Sequence, residues 1–124
     1  MGVETIVEGR VISAHEGQVT VEANGCTLYA IGEVASSRPV YLCLRPEDIT
    51  LWPADGFPPS SARNRFPARV QKVIPQGALT RVVVDCGFPM TALVTRTSAL
   101  ELNLAEGKDV TIAFKASAVH LIPR

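Results

Sequence analysis

Three short segments carry the residue types that could do chemistry: Ser61-Ala62-Arg63-Asn64, Thr95-Arg96-Thr97-Ser98 and Lys115-Ala116-Ser117. Each combines hydroxyls, a small residue or another hydroxyl, and a cation, and none contains a carboxylate. That composition suits a tetrahedral oxyanion, which offers only acceptor oxygens and two negative charges. A site for it needs donors and no competing acceptors. Ser and Thr hydroxyls donate, a Lys or Arg adds charge-assisted hydrogen bonds, and small residues let backbone N–H groups come close. Free N–H groups at a helix start would add donors and the positive end of the helix dipole.

Other chemistries find less support. Cys26, Cys43 and Cys86 are widely spaced, odd in number and set in apolar stretches, which reads as buried reduced thiols of a cytosolic protein. No C-x-x-C occurs, and only His15 and His120 could add ligands, so no metal site is expected. Cys, His and Asp do not cluster, and neither a nucleophile elbow nor a carboxylate pair stands out, so no catalytic residue is assigned. The 12 basic and 12 acidic side chains cancel, which removes the basic excess that a nucleic-acid binder uses to neutralise phosphate. The aromatics are scattered, and Tyr29, Tyr41 and Phe114 fall inside apolar strands where core packing is the expected role. No run of 18 apolar residues and no signal peptide appears.

The elements that must position these segments are short β-runs punctuated by Gly and Pro. Strands are expected at 5–12, 18–23, 27–31 and 40–44. After a turn-rich stretch from Trp52 to Ser61, more are expected at 66–74, 79–86, 90–94, 110–114 and 119–122. The two halves copy each other. Glu8-Gly-Arg-Val-Ile12 aligns with Pro67-Ala-Arg-Val-Gln71, and Val40 to Leu51 aligns without a gap on Val110 to Leu121, which sets Arg45 on Lys115. An internal repeat of about five short strands predicts two small OB-type barrels. The division falls into a first subdomain at 1–54, a linker at 55–62 and a second subdomain at 63–124.

The second copy carries an insert from Thr95 to Lys108 that reads as a short helix. Ser98-x-x-Glu101 has the capping-box pattern, Leu100 and Leu104 share a face, and Gly107 stops it. The first copy acts as an internal control. Where the second has Lys115-Ala116-Ser117 it has Arg45-Pro46-Glu47, in which Pro46 has no N–H and Glu47 repels an anion. The first copy is therefore expected to be structural or to contact another protein.

Taken in order, Ser61-Ala-Arg-Asn64, Thr95-Arg-Thr-Ser98, Leu104-x-x-Gly107-Lys108 and Lys115-Ala-Ser117 resemble the Mop, or TOBE, molybdate-binding module over essentially all of residues 61–122. The first half, with Leu44-Arg-Pro-Glu-Asp-Ile-Thr-Leu51, is similar to the segment that begins the regulatory region of ABC importer ATP-binding subunits. The resemblance implies an all-β fold of two tandem OB-like barrels with one short helix in the second. It implies molybdate or tungstate as ligand, with no cofactor, held at interfaces between modules or subunits. Carried over by position, Ser61, Arg63, Thr95, Ser98, Lys115 and Ser117 become the oxyanion contacts. Also implied are a homodimer, a cytoplasmic location peripheral to the inner membrane through the transporter, the ATP-binding domain of a parent chain as partner, and modulation of transport. No direct insertion into the membrane is expected.

The sequence contains no G-x-x-x-x-G-K-[ST] phosphate loop, so ATP hydrolysis by this chain is not expected, and the chain reads as a piece of a longer protein. The competing reading is a regulatory domain of the same kind that binds no small ligand and serves only in subunit contact.

Overall fold

The computed structural model describes residues 5–56 and 62–124. Ten strands, one α-helix and two single 3-10 turns follow in chain order. In the first half these are β1 (Thr5–His15), β2 (Gln18–Ala23), β3 (Cys26–Ile31), β4 (Pro39–Leu44), a 3-10 turn at Pro46–Asp48, and β5 (Thr50–Pro53). In the second half they are β6 (Asn64–Gln76), β7 (Leu79–Asp85), β8 (Pro89–Thr95), α1 (Arg96–Glu101), β9 (Asp109–Phe114), a 3-10 turn at Ala116–Ala118, and β10 (His120–Pro123). The chain is all-β, as its residue pattern predicts, with one helix in the second half.

Period-two patterning explains the strands. In β1, Thr5, Val7, Gly9 and Val11 face inward while Ile6, Glu8, Arg10 and Ile12 face out. In β7, Thr80, Val82 and Val84 are buried in turn. The β2–β3 hairpin turns at Asn24-Gly25, both with positive φ (50° and 80°), the conformation that a two-residue turn matched to strand twist requires. β1 and β6 each carry a register shift against their hairpin partner, between Val11 and Ser13 and between Val70 and Lys72. Such bulges bend a strand, as a small barrel requires.

The two sheets exchange strands. One runs β10-β4-β1-β2-β3 and the other β5-β9-β6-β7-β8, all pairs antiparallel. Each is completed by the last strand of the other half. Thr50 pairs with Ala113 on β9, and His120 pairs with Cys43 on β4. These registers are related by the same offset that aligns Val40–Leu51 with Val110–Leu121. A single core cluster draws on both halves, with Val11, Val21 and Leu42 from one and Val70, Val84 and Ile112 from the other.

Two expectations are corrected. The stretch read as turn-rich from Trp52 onward begins as β5, which reaches Pro53. Pro53 sits at the end of an edge strand, where a missing N–H costs no ladder bond. The helix is also shorter and starts earlier than its Ser98-x-x-Glu101 pattern implies. Thr95 is the N-cap, its Oγ1 accepting from Ser98 N–H at 3.1 Å. The chain leaves the helix at Leu102 and turns at Asn103, whose φ is +52°, before Gly107 is reached. Leu100 points into solvent, whereas Leu104 lies beyond the helix and packs on the core, so the two share no face.

Candidate functional site

The proposed contacts fall in two clefts. Arg63, Lys115 and Ser117 come together in one of about 460 Å³, walled by Gln18, Thr20, Tyr29 and Ile31 of the first half. Thr95 and Ser98 line another of about 530 Å³, together with Glu47, Trp52, Glu101 and Leu102. Ser61 lies outside the described residues. The clefts occupy matching places in the pseudosymmetric fold: the 3-10 turn after β9 packs on β3, and the one after β4 packs on β8.

Their chemistry is opposite. The first cleft has two cations, hydroxyls and an amide side chain among its lining residues, and no carboxylate. Among the described residues, neither Arg63 nor Lys115 has an acidic partner, so their charge is available. The turn under Lys115 adds backbone donors. Ala118 and Val119 N–H groups are bonded to the Lys115 and Ala116 carbonyls at 3.0 and 3.2 Å. The N–H groups of Ala116 and Ser117 precede these and have no partner within such a turn. The second cleft carries Glu47 and Glu101 and no cation. Pro46 opens its turn without an N–H to give.

At the helix start two of the N–H groups are already engaged within the chain. Arg96 N–H is bonded to Ala78 C=O at 2.9 Å, and Ser98 N–H is taken by Thr95 Oγ1. Thr95 Oγ1 itself donates to Ser98 Oγ at 2.9 Å. The Thr95 hydroxyl thus serves the cap, and the Ser98 hydroxyl accepts from it. With six residues the helix is also too short for a substantial dipole.

The first half builds one wall of the cationic cleft, which its own sequence did not signal. Tyr29 was expected in the core. It instead stands on the outward side of β3, flanked by the buried Leu28 and Ala30. The Arg63 guanidinium carbon lies 5.2 Å from the Tyr29 ring centroid. Next along the chain, Asn64 is 1% exposed and its side-chain amide bonds both the N–H and the C=O of Tyr29, at 2.8 and 2.9 Å. β3 is an edge strand, so this amide substitutes for a neighbouring strand at that point. The strand itself was legible in the sequence, but not which of its side chains face out. Nor was it legible which residue would cover its edge.

The cysteines are free thiols, as expected, but only Cys43 is buried. Cys26 and Cys86 are half-buried at the ends of two hairpins, with Cys26 Sγ 3.5 Å from the Cys86 carbonyl oxygen. Burial pushes the Cys86 thiol up from 9.0 to about 11, with smaller contributions from Cys26 and Asp85. Among the described residues no group of three or more His, Cys, Asp or Glu could hold a metal ion. No described helix is long and apolar enough to cross a membrane.

This chain belongs to the TOBE domain family, which matches residues 60–121. It is similar to the molybdate/tungstate import ATP-binding protein WtpC of Pyrococcus horikoshii, with 36% identity over 130 residues covering 99% of this chain. The same-named protein of Pyrococcus abyssi is 35% identical over 122 residues, covering 98% of it. The chain spans about a third of the length of these curated relatives. Among solved structures, the molybdate-bound form of the cytoplasmic molybdate-binding protein ModG superposes with a TM-score of 0.91 over 98% of this chain and 97% of that one. Its sequence identity is 22%, so the likeness is one of fold, and it confirms the paired OB-like architecture. The chain is thus a TOBE module, and its sequence contains no G-x-x-x-x-G-K-[ST] phosphate loop.

Proposed function

We propose that this chain binds molybdate or tungstate as the regulatory module of an importer's ATP-binding subunit, and that anion binding modulates transport. The observation that carries the reading is the cationic cleft. Arg63, Lys115 and Ser117 line it without a carboxylate, and the turn at Ala116 and Ser117 can add main-chain N–H donors, while the pseudosymmetric cleft holds Glu47 and Glu101. The relatives whose names include molybdate or tungstate give the ligand class. A cytoplasmic location beside the membrane follows from the same reading, with the ATP-binding domain of the parent chain as partner.

Ser61, two residues before Arg63 in the sequence, is assigned to the same anion by the family resemblance. Thr95 and Ser98 line the other cleft, so they would reach the anion only from a second copy of the chain. A homodimer is therefore part of the proposal. On the outward face of the β10-β4-β1 sheet, Ile122 (50% exposed) lies across from Tyr41 and Ile6 (63% exposed) across from Cys43, an apolar face that suits such a contact.

Thermal unfolding with molybdate, tungstate and sulfate tests the reading, followed by calorimetric titration. A ligand at a hundred times its Kd stabilises the fold by about 2.7 kcal/mol, a rise of several degrees at this size. A rise with molybdate and tungstate but not sulfate is the expected result. No rise with any of them removes the anion reading and leaves a module for subunit contact alone.

A further inference from the structure

We propose that Tyr29 is a positioning residue for the anion cleft: its ring holds the Arg63 guanidinium ready for the oxyanion. The inference rests on the anion reading above and adds to it a residue from the half that looked purely structural.

Three observations meet at this point. Tyr29 faces outward from β3 and lines the cleft. The Arg63 guanidinium lies over its ring at 5.2 Å. Asn64, adjacent to Arg63, is clamped to the Tyr29 main chain by two hydrogen bonds. The backbones that carry the arginine and the ring are thereby fixed to each other one residue from the stacked pair. At the matching register of the second half stands Thr91, with Thr5 accepting from its N–H at 3.2 Å. That position has the clamp in weaker form and no ring.

Stacking suits an arginine that must still bind an anion. A ring beneath a guanidinium interacts with the cation through its π-face, and the in-plane N–H donors of such a guanidinium can still reach an anion. An arginine loose in solvent loses rotamer freedom when it closes on a ligand, and one already held on a ring loses less. Anion affinity then depends on an aromatic face contributed by the other half, so the cleft forms only when the halves are docked.

The test compares Tyr29→Phe and Tyr29→Leu with the wild type by tungstate calorimetry and by NMR of the Arg63 δ-protons without anion. The wild type should show an upfield ring-current shift of those protons. Phe should keep both the shift and the affinity. Leu should lose the shift and bind tungstate about two- to five-fold more weakly, with an unchanged melting temperature. Equal affinity of the Leu variant and wild type, or wild-type δ-protons without the shift, overturns the positioning role and leaves the anion reading intact. If the wild type binds no tungstate, the anion reading itself fails and the role of Tyr29 falls with it.

Discussion

Asn64 pairs with Tyr29 as a strand would, its side-chain amide accepting from the Tyr29 N–H at 2.8 Å and donating to the Tyr29 carbonyl at 2.9 Å. The bond joins the first strand of one half to the edge strand of the other, and the Asn64 side chain is almost wholly buried. Removing it leaves two part-buried main-chain groups without their partner, so Asn64→Ala should cost about 1–3 kcal/mol in a urea titration. Asn64→Asp keeps only an acceptor and should also destabilise. Thr5→Val, at the pseudosymmetric place, removes one longer bond to Thr91 and should cost less. A loss below about 0.5 kcal/mol in Asn64→Ala would mean that the edge is held by other contacts.

The opposite charge of the two clefts can be tested by converting one into the other. Ser117 stands where the first half has Glu47, and Ser117→Glu would set a carboxylate among Arg63, Lys115 and the two turn amides. Tungstate binding should then vanish in calorimetry while the fold persists, because the position is exposed. Lys115→Ala should weaken binding about ten-fold or more, the scale of one charge-assisted hydrogen bond. Binding that survives both changes would place the anion elsewhere.

The strands, their alternation and the internal repeat were legible because they depend on residues close in sequence. Period two reads directly from Gln18-Val-Thr-Val-Glu-Ala23, and the offset between Val40–Leu51 and Val110–Leu121 correctly set the 3-10 turn of Lys115 opposite that of Arg45. What escaped was decided by contacts between the halves. β5 was hidden because Trp52-Pro53 reads as a turn unless β9 is known to lie beside it. Tyr29 reads as core because nothing local says that β3 is an edge facing Arg63. The cap went to Thr95 because either hydroxyl could accept an N–H, and Arg96 N–H bonding back to Ala78 fixes the earlier start. Composition put the segments 61–64, 95–98 and 115–117 into one group, and that Thr95 and Ser98 line a different cleft from Arg63, Lys115 and Ser117 required the topology.

Cys86 makes stability depend on alkaline pH. Burial raises its thiol from 9.0 to about 11, so the folded state keeps a proton that the unfolded chain loses. The unfolded state binds fewer protons between these values, and stability therefore falls as pH rises from about 9 to 11. Urea midpoints measured across that window should decline more steeply for the wild type than for Cys86→Ser. Alkylation of Cys86 by iodoacetamide should be slow at neutral pH and accelerate up to about pH 11, since the thiolate is the nucleophile.

Gly9 is required by the packing of the first sheet. A methyl group there would lie 2.6 Å from Leu42 Cδ1, 2.8 Å from Val21 Cγ1 and 3.0 Å from the Glu22 carbonyl oxygen. The last is backbone and cannot swing aside. In the second half Ala68 occupies the matching place, paired with Val110 as Gly9 is with Val40. Gly9→Ala should therefore cost about 1–3 kcal/mol by overpacking, although an alanine is accommodated in the copy. Equal stability of the variant and wild type in thermal unfolding would show that β1 can shift relative to β2 and β4.

The strand exchange predicts that the last few residues of the chain stabilise the first sheet. β10 runs along β4, with Leu121 opposite Leu42 and Ile122 opposite Tyr41. Arg124 then bonds to Pro39 C=O through its N–H at 3.1 Å, lies 5.5 Å from the Tyr41 ring and approaches Glu8 at 3.6 Å. Deleting residues 120–124 strips the outer edge of β4 and opens a row of main-chain donors and acceptors. Hydrogen exchange should accelerate at β4 more than at β9, which keeps both of its neighbours, β5 and β6. The exposed edge should also promote association at high concentration. A synthetic peptide of residues 119–124 added in trans should restore protection at β4 by pairing as an extra strand. Uniform loss of protection across both sheets would instead mean that the two halves unfold as one unit and that β10 is needed for the whole core.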